Sequence, residues 1–155
     1  MKGTSALLLA ALLAASGCVA ARPATLCAHL EGAGDSSTDA LDPVHQGDAM
    51  LRLEKTAVRF SIVAPGLQTV TATHIHHGAS GTYGPMLWEI NSGYKGDAIR
   101  GTASDIPPGV IALIAREPSQ YYVKLHTPEF PGGAIRGQLG PCPAHGKLTM
   151  EGLKD

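Results

Sequence analysis

The sequence predicts an all-β domain, an antiparallel sandwich or Greek-key barrel that contains one short helix. Three observations support this prediction. Apolar and polar residues alternate over short segments, glycine and proline separate those segments, and aromatic residues make up only 5% of the chain. The core must therefore be built from Val, Ile, Leu and Ala. A chain of 155 residues is long enough for one such domain.

Eight segments show the alternation expected of β-strands. In one of them Val58, Phe60 and Ile62 share a face, and polar residues occupy the other face. The segment at 98–104 has the weakest pattern because Gly101 interrupts it. Short strands with Gly/Pro punctuation are typical of antiparallel sandwiches and barrels. The predicted strands are 24–30, 49–55, 57–63, 70–76, 86–90, 98–104, 121–126 and 134–139.

One segment, 108–116, predicts a helix instead of a strand. It lacks alternation, Pro108 stands where a helix start tolerates proline, and Pro118 lies just beyond the end. Its large apolar residues follow approximately helical spacing: Val110, Ile111, Leu113 and Ile114.

Residues 1–21 predict a signal peptide. Lys2 precedes an apolar run at 6–15, and small residues follow. The run is too short to span a bilayer, which needs about 20 apolar residues. Cleavage before Cys18 would give a lipoprotein, although Ala15 departs from the usual aliphatic residue; the alternative is ordinary cleavage after residue 21. The protein is expected to be exported, either as a periplasmic, outer-membrane or cell-surface lipoprotein or as a freely secreted protein. Membrane contact is expected only through a lipid on Cys18.

Two further cysteines, Cys27 and Cys142, lie near the two ends of the expected domain at 26–141. An oxidising compartment permits a disulfide between them, and two free buried thiols are the alternative. Residues 142–155 are expected to form a polar C-terminal tail.

Charge and motifs exclude several classes of function. The chain has 12 Lys and Arg against 13 Asp and Glu, with no basic stripe, so no nucleic-acid partner is expected. No Gly-x-Ser-x-Gly motif or recognisable pair of catalytic carboxylates is present. The sequence favours a protein that is not an enzyme.

Two blocks of sequence resemble the chordin-type (CHRD) domain family. The first is HIHHGA at 74–79, followed by Gly81 and Gly84-Pro85, and the second is YYVKLHT at 121–127 with PGGAIRGQL at 131–139. Lys124 stands where the family usually has Asn. The resemblance covers about 26–141. It implies an immunoglobulin-like β fold and favours a non-catalytic, exported binding module of the cell envelope, whose partner is an unidentified protein or polysaccharide.

Histidines inside these blocks form a candidate metal site. His74 and His76 leave the same face of a predicted strand, and His126 ends another strand. Three neutral imidazoles suit Cu(II), Zn(II) or Ni(II), and the general affinity order favours copper. His77 is a further candidate ligand. Ligating nitrogens should then lie roughly 3–4 Å apart. Alternatively, each histidine could bond a backbone carbonyl and fix a loop.

This arrangement is similar in layout to copper/zinc superoxide dismutases, which also have a His-x-His strand, a later strand-end histidine and a disulfide. The similarity implies copper as the cofactor and superoxide dismutase-like redox chemistry as an alternative function. No clear zinc loop is visible between His77 and Tyr121. Arg136 lies in a Gly-rich segment, where it could either pair with Glu89 or Asp97 or guide an anion to a metal.

Overall fold

A computed structural model of the protein describes residues 24–32, 42 and 44–143. The predicted signal peptide, including the lipidation candidate Cys18, lies outside these residues, as do residues 144–155 of the predicted tail. In the described part of the chain, no helix is both long enough and apolar enough to cross a membrane.

Short strands dominate the described residues. Eleven strands, one α-helix and one 3₁₀ turn (Pro118–Gln120) occur in this part of the chain. The α-helix, α1, spans Pro108–Arg116. The strands are β1 (Thr25–Glu31), β2 (Gln46–Leu53), β3 (Val58–Val63), β4 (Thr69–Val70), β5 (Ala72–His77), β6 (Met86–Asn91), β7 (Tyr94–Lys95), β8 (Ala98–Ala103), β9 (Tyr121–His126), β10 (Ile135–Gln138) and β11 (Gly140–Pro141).

One antiparallel sheet carries most of these strands. Its hydrogen-bonded order is β6-β5-β9-β10-β1-β2-β3-β8, with β11 added alongside β1, and β4 pairs separately with β7. The end strands β6 and β8 approach each other, so the sheet curls into a nearly closed barrel. The predicted all-β class with one short helix is confirmed, and of the two predicted architectures the barrel describes the sheet better.

The connections follow a Greek-key path. The end strands of the sheet, β6 and β8, lie next to each other where the barrel closes. The order of neighbouring strands around this part of the barrel is therefore β9-β5-β6-β8. The fourth of these strands therefore returns to lie beside the first. This return places β9 directly against β5.

The interior of the barrel is apolar, and its side chains are almost completely buried. Alternate residues of each strand point inward, as the period of two requires. Representative core side chains are Leu30, Leu51, Phe60, Ile62, Ile75, Val123, Leu125 and Ile135. The helix contributes Ile111 and Ile114 to the same core.

The structure explains two positions that the sequence pattern left open. Gly101, which weakened the strand pattern, lies inside β8 opposite Phe60, and a Cβ at this position would come within 2.7 Å of the Phe60 ring. The glycine therefore makes room for an aromatic core residue. Leu113 follows the helical spacing but is 42% exposed, because a helix packed on one side buries only one stripe.

The predicted bond between Cys27 and Cys142 is present. It joins β1 to the residue that follows β11, a strand of only two residues. Cys27 is also the register partner of Gly140 in β11. The disulfide therefore attaches the end of the described chain to the middle of the barrel wall.

Candidate metal centre

The three predicted ligand histidines lie on two adjacent strands. β5 and β9 pair antiparallel, with His74 opposite Lys124 and His76 opposite Tyr122, and His126 ends β9. Alternate residues of a strand share a face, so all five of these side chains leave the outer face of the barrel. The residues between them are fully buried in the core: Ile75, Val123 and Leu125.

This pairing brings the three imidazoles together. Nδ1 of His74 lies 3.0 Å from Nε2 of His126, although 52 residues separate them in sequence. One ring nitrogen from each of His74, His76 and His126 can be chosen so that all three lie within 4.8 Å of one another. One ion at about 2.0–2.1 Å from each nitrogen requires separations of roughly 3–4 Å. A bound ion would therefore require a small inward rotation of an imidazole.

Backbone carbonyls orient two of the rings. Nδ1 of His76 donates to the carbonyl oxygen of Gly84 at 2.9 Å, and Nδ1 of His126 donates to that of Pro131 at 2.9 Å. A carbonyl only accepts hydrogen bonds, so in each neutral ring Nδ1 carries the proton and Nε2 carries a lone pair. These bonds are compatible with ligation, because they fix the tautomer that presents Nε2 to a metal.

A carboxylate orients the third ring. Nε2 of His74 donates to Oε2 of Glu89 at 3.3 Å, which leaves Nδ1 of the neutral ring with a lone pair. The 3.0 Å approach to Nε2 of His126 then sets two lone pairs against each other, unless a proton or a metal ion lies between them. Nε2 of His76 is buried and has no hydrogen-bond partner. The donor atoms fit a single cation.

Burial keeps two of the imidazoles, those of His76 and His126, neutral. His76 is 5% exposed and His126 is 8% exposed. Burial lowers the pKa of His76 from 6.5 to about 4; the Gly84 hydrogen bond raises it, and the charges of Lys124, His74 and His126 lower it further. The pKa of His126 is also lowered, first by burial. Neutral rings are the form that binds metals.

The metal-free protein is expected to lose stability as the pH falls from about 6.5 toward about 4, the two pKa values of His76. In that window the unfolded chain binds a proton at His76 that the folded protein does not, so acid favours unfolding. The loss at full protonation is on the order of 3 kcal/mol. Urea unfolding at a series of pH values measures it. A His76→Gln variant should show a shallower decline, and an unchanged slope would exclude this cause.

Two loops cover the outer face around the trio. The loop between β5 and β6 supplies Gly84, whose NH group also donates a hydrogen bond to the hydroxyl oxygen of Tyr122 at 3.1 Å. The loop between β9 and β10 supplies Pro131. The Tyr122 ring stacks on that of His76, with centroids 4.9 Å apart and planes inclined by 11°. Both covering loops therefore take part directly in orienting the imidazoles.

Arg136 of β10 contacts the first of these loops. Its Nη1 donates to the carbonyl of Thr82 at 2.7 Å, and its Nη2 donates to Oε1 of Gln138 at 3.2 Å. The guanidinium lies 3.4 Å from the centroid of the Tyr122 ring. Of the two carboxylates expected near it, Glu89 contacts His74, and Asp97 accepts a hydrogen bond from the NH group of Gly66.

His77 lies apart from the trio. Its side chain is exposed and packs against Tyr121, with ring centroids 5.2 Å apart. Alternation along β5 turns His77 away from the face that carries His74 and His76. Two other described histidines pair with nearby carboxylates, His29 with Asp48 and His45 with Asp42.

Sequence reasoning did not identify the groups that orient the trio. The alternation of Tyr122, Lys124 and His126 along β9 does place these three on one face, and this signal was available. The roles of Gly84 and Pro131 leave no such signal, because each acts through its carbonyl oxygen.

Gly133 lies in the covering loop between β9 and β10, in a backbone conformation that favours glycine. Its φ is +131°, and a Cβ at this position would collide with Cε of Lys124. A Gly133→Ala variant should therefore lose about 1–3 kcal/mol in the free energy of unfolding, measured in urea. Gly109→Ala is the matched control, because a Cβ there meets nothing within 4 Å. Equal stability of the two variants would contradict the prediction.

Comparison with known protein families matches the CHRD domain to residues 26–139. No curated protein and no solved structure matches the chain. The matched segment begins in β1, ends just after β10 and includes all three histidines and both covering loops.

Proposed function

The chain belongs to the CHRD domain family, and from that premise and the geometry of the three imidazoles we propose that it is an exported copper-binding protein. His74 would bind through Nδ1, and His76 and His126 through Nε2. The observation that carries the proposal is the orientation of the rings, each of which donates its other nitrogen to an oxygen and leaves a lone pair facing the trio.

The donor set favours copper over other metals. Three imidazole nitrogens without a thiolate or a ligating carboxylate suit Cu, Zn or Ni, whereas Mg²⁺ and Ca²⁺ prefer oxygen ligands. Among divalent first-row ions, affinity is highest for Cu²⁺. The outer-shell bonds to Gly84, Pro131 and Glu89 are the kind that typically support ligating histidines.

Bound copper would supply one-electron redox chemistry, and superoxide dismutase-like activity is the corresponding enzymatic proposal. The chain's own part is to hold three neutral imidazoles in place and to keep His76 and His126 largely out of water. The most accessible edge of the trio is at His74, whose side chain is 15% exposed. A small reactant would approach from that side.

Calorimetric titration of the purified protein with copper and with zinc tests the proposal. We expect one copper per chain, bound more tightly than zinc, and loss of binding in His74→Ala and His126→Ala variants. A superoxide consumption assay on the copper-loaded protein then tests the enzymatic form. An absence of copper binding, or binding that ignores both substitutions, would overturn the proposal.

A non-catalytic binding module of the cell envelope is the second candidate function, with a protein or polysaccharide as partner. Two large side chains near the first covering loop favour it, since Tyr83 is 60% exposed and Met86 is 56% exposed. Exposed aromatic residues commonly contribute to binding surfaces. Cosedimentation with cell-wall polysaccharide, repeated with Tyr83→Ala, tests this role, and retention unaffected by the substitution would argue against this surface.

Export, with or without a lipid anchor on Cys18, is part of the same proposal. If Cys18 carries lipid, the Cys18→Ser variant should move from the membrane fraction to the soluble exported fraction, because its anchor is lost. Cell fractionation and intact mass measure this. An unlipidated mature protein that starts after residue 21 would instead favour ordinary signal-peptide cleavage.

A further inference from the structure

A buried lysine lies beside the histidine trio. Lys124 is in the middle of the outer face of β9, opposite His74 on β5 and opposite Arg136 on β10. It has no solvent-exposed surface. His126 is two residues further along the same face of β9. The lysine is thus placed by strand pairing in the wall from which the three imidazoles project.

The Gly133 backbone and the Tyr83 ring contact the lysine side chain there. Backbone at Gly133 packs on its stem so closely that a Cβ would not fit. The ammonium nitrogen lies 5.6 Å from the centroid of the Tyr83 ring, within the range of a cation–π contact. Long lysine side chains usually reach toward water, whereas this one is retained under the two covering loops.

The lysine charge lies next to the histidines. Strand pairing places Lys124 opposite His74 on β5 and two residues from His126 on β9, and the lysine is fully buried there. Within the described ranges, the carboxylate at hydrogen-bonding distance from the trio is Glu89, whose side chain is 49% exposed and therefore strongly screened by water. The buried charge acts in a medium of lower dielectric constant, where electrostatic interactions are stronger.

We propose that Lys124 makes the histidine site selective for Cu(I) over Cu(II). This inference rests on the proposed function. The repulsion between the ammonium and a bound ion scales with the charge of the ion, so it is about twice as large for Cu(II) as for Cu(I). A ligand set of three neutral imidazoles adds no negative charge that would offset the difference.

The test compares Cu(I) and Cu(II) affinities in the full-length exported protein and in a Lys124→Met variant. Methionine has a similar length, carries no charge and tolerates burial. Cu(I) affinity is measured by competition with bicinchoninate under anaerobic conditions, and Cu(II) affinity by competition with nitrilotriacetate. We expect the substitution to lower the ratio of Cu(I) to Cu(II) affinity by about tenfold or more. A tenfold change corresponds to a potential about 59 mV lower for a one-electron couple.

Lys95→Met is the matched control, because Lys95 is an exposed residue of β7, outside the main sheet. Lys124→Gln is a second uncharged variant, for which we expect the affinity ratio to change in the same direction. Binding of both ions with a ratio that Lys124→Met and Lys124→Gln leave unchanged would overturn this inference alone. Failure of the wild-type protein to bind either ion would overturn the proposed function as well.

Discussion

His76→Ala is expected to lower copper affinity by about a hundredfold or more. Loss of an outer-shell partner alone typically costs 10- to 100-fold in metal affinity, and loss of a ligand should cost at least as much. His76 is also the ring whose buried Nε2 has no hydrogen-bond partner. Competition titration with copper measures the change.

His77→Ala is the control for this experiment. It removes an imidazole from the same strand, but one that packs against Tyr121 and lies apart from the trio. We expect its copper affinity to stay within about threefold of the wild-type value, as is usual for surface positions. Equal losses in the His76→Ala and His77→Ala variants would point to nonspecific binding along β5 and would contradict the assigned ligand set.

Removing the disulfide by a Cys27→Ser, Cys142→Ser double substitution is expected to lower the free energy of unfolding by about 4–5 kcal/mol. The two cysteines are 115 residues apart in sequence, so the bond closes nearly the whole described domain into one loop. Without the bond, the unfolded chain gains conformational freedom. The strand β11 would then be held mainly by its pairing with β1.

Urea unfolding of the wild-type protein, with and without reductant, measures this effect beside the double variant. Reduced wild-type protein should behave like the variant, because both lack the same covalent link. A loss below about 1 kcal/mol would indicate that the unfolded chain is already compact in this region, since the entropic gain depends on a disordered reference state.

Much of the fold was predictable because its signals are local. Alternation is a property of neighbouring residues, and it identified the main strands, while proline positions identified the helix at 108–116 with the observed bounds. The two-residue spacing of His74 and His76 placed both on one face by the same rule. Gly101 weakened the local pattern of 98–104, but the strand predicted there is present, because the glycine makes room for the Phe60 ring in the barrel.

The sequence by itself determined the β class, the helix and the face from which each histidine projects. Only the tertiary structure decided that β9 pairs with β5, which brings His126 to His74 across 52 residues. It also decided that carbonyls of Gly84 and Pro131 fix two tautomers and that Lys124 is buried beside them. The physical reason is the sequence separation of the residues that interact. Alternation depends on neighbouring residues of one strand, whereas strand pairing and burial depend on distant segments that meet around a shared core.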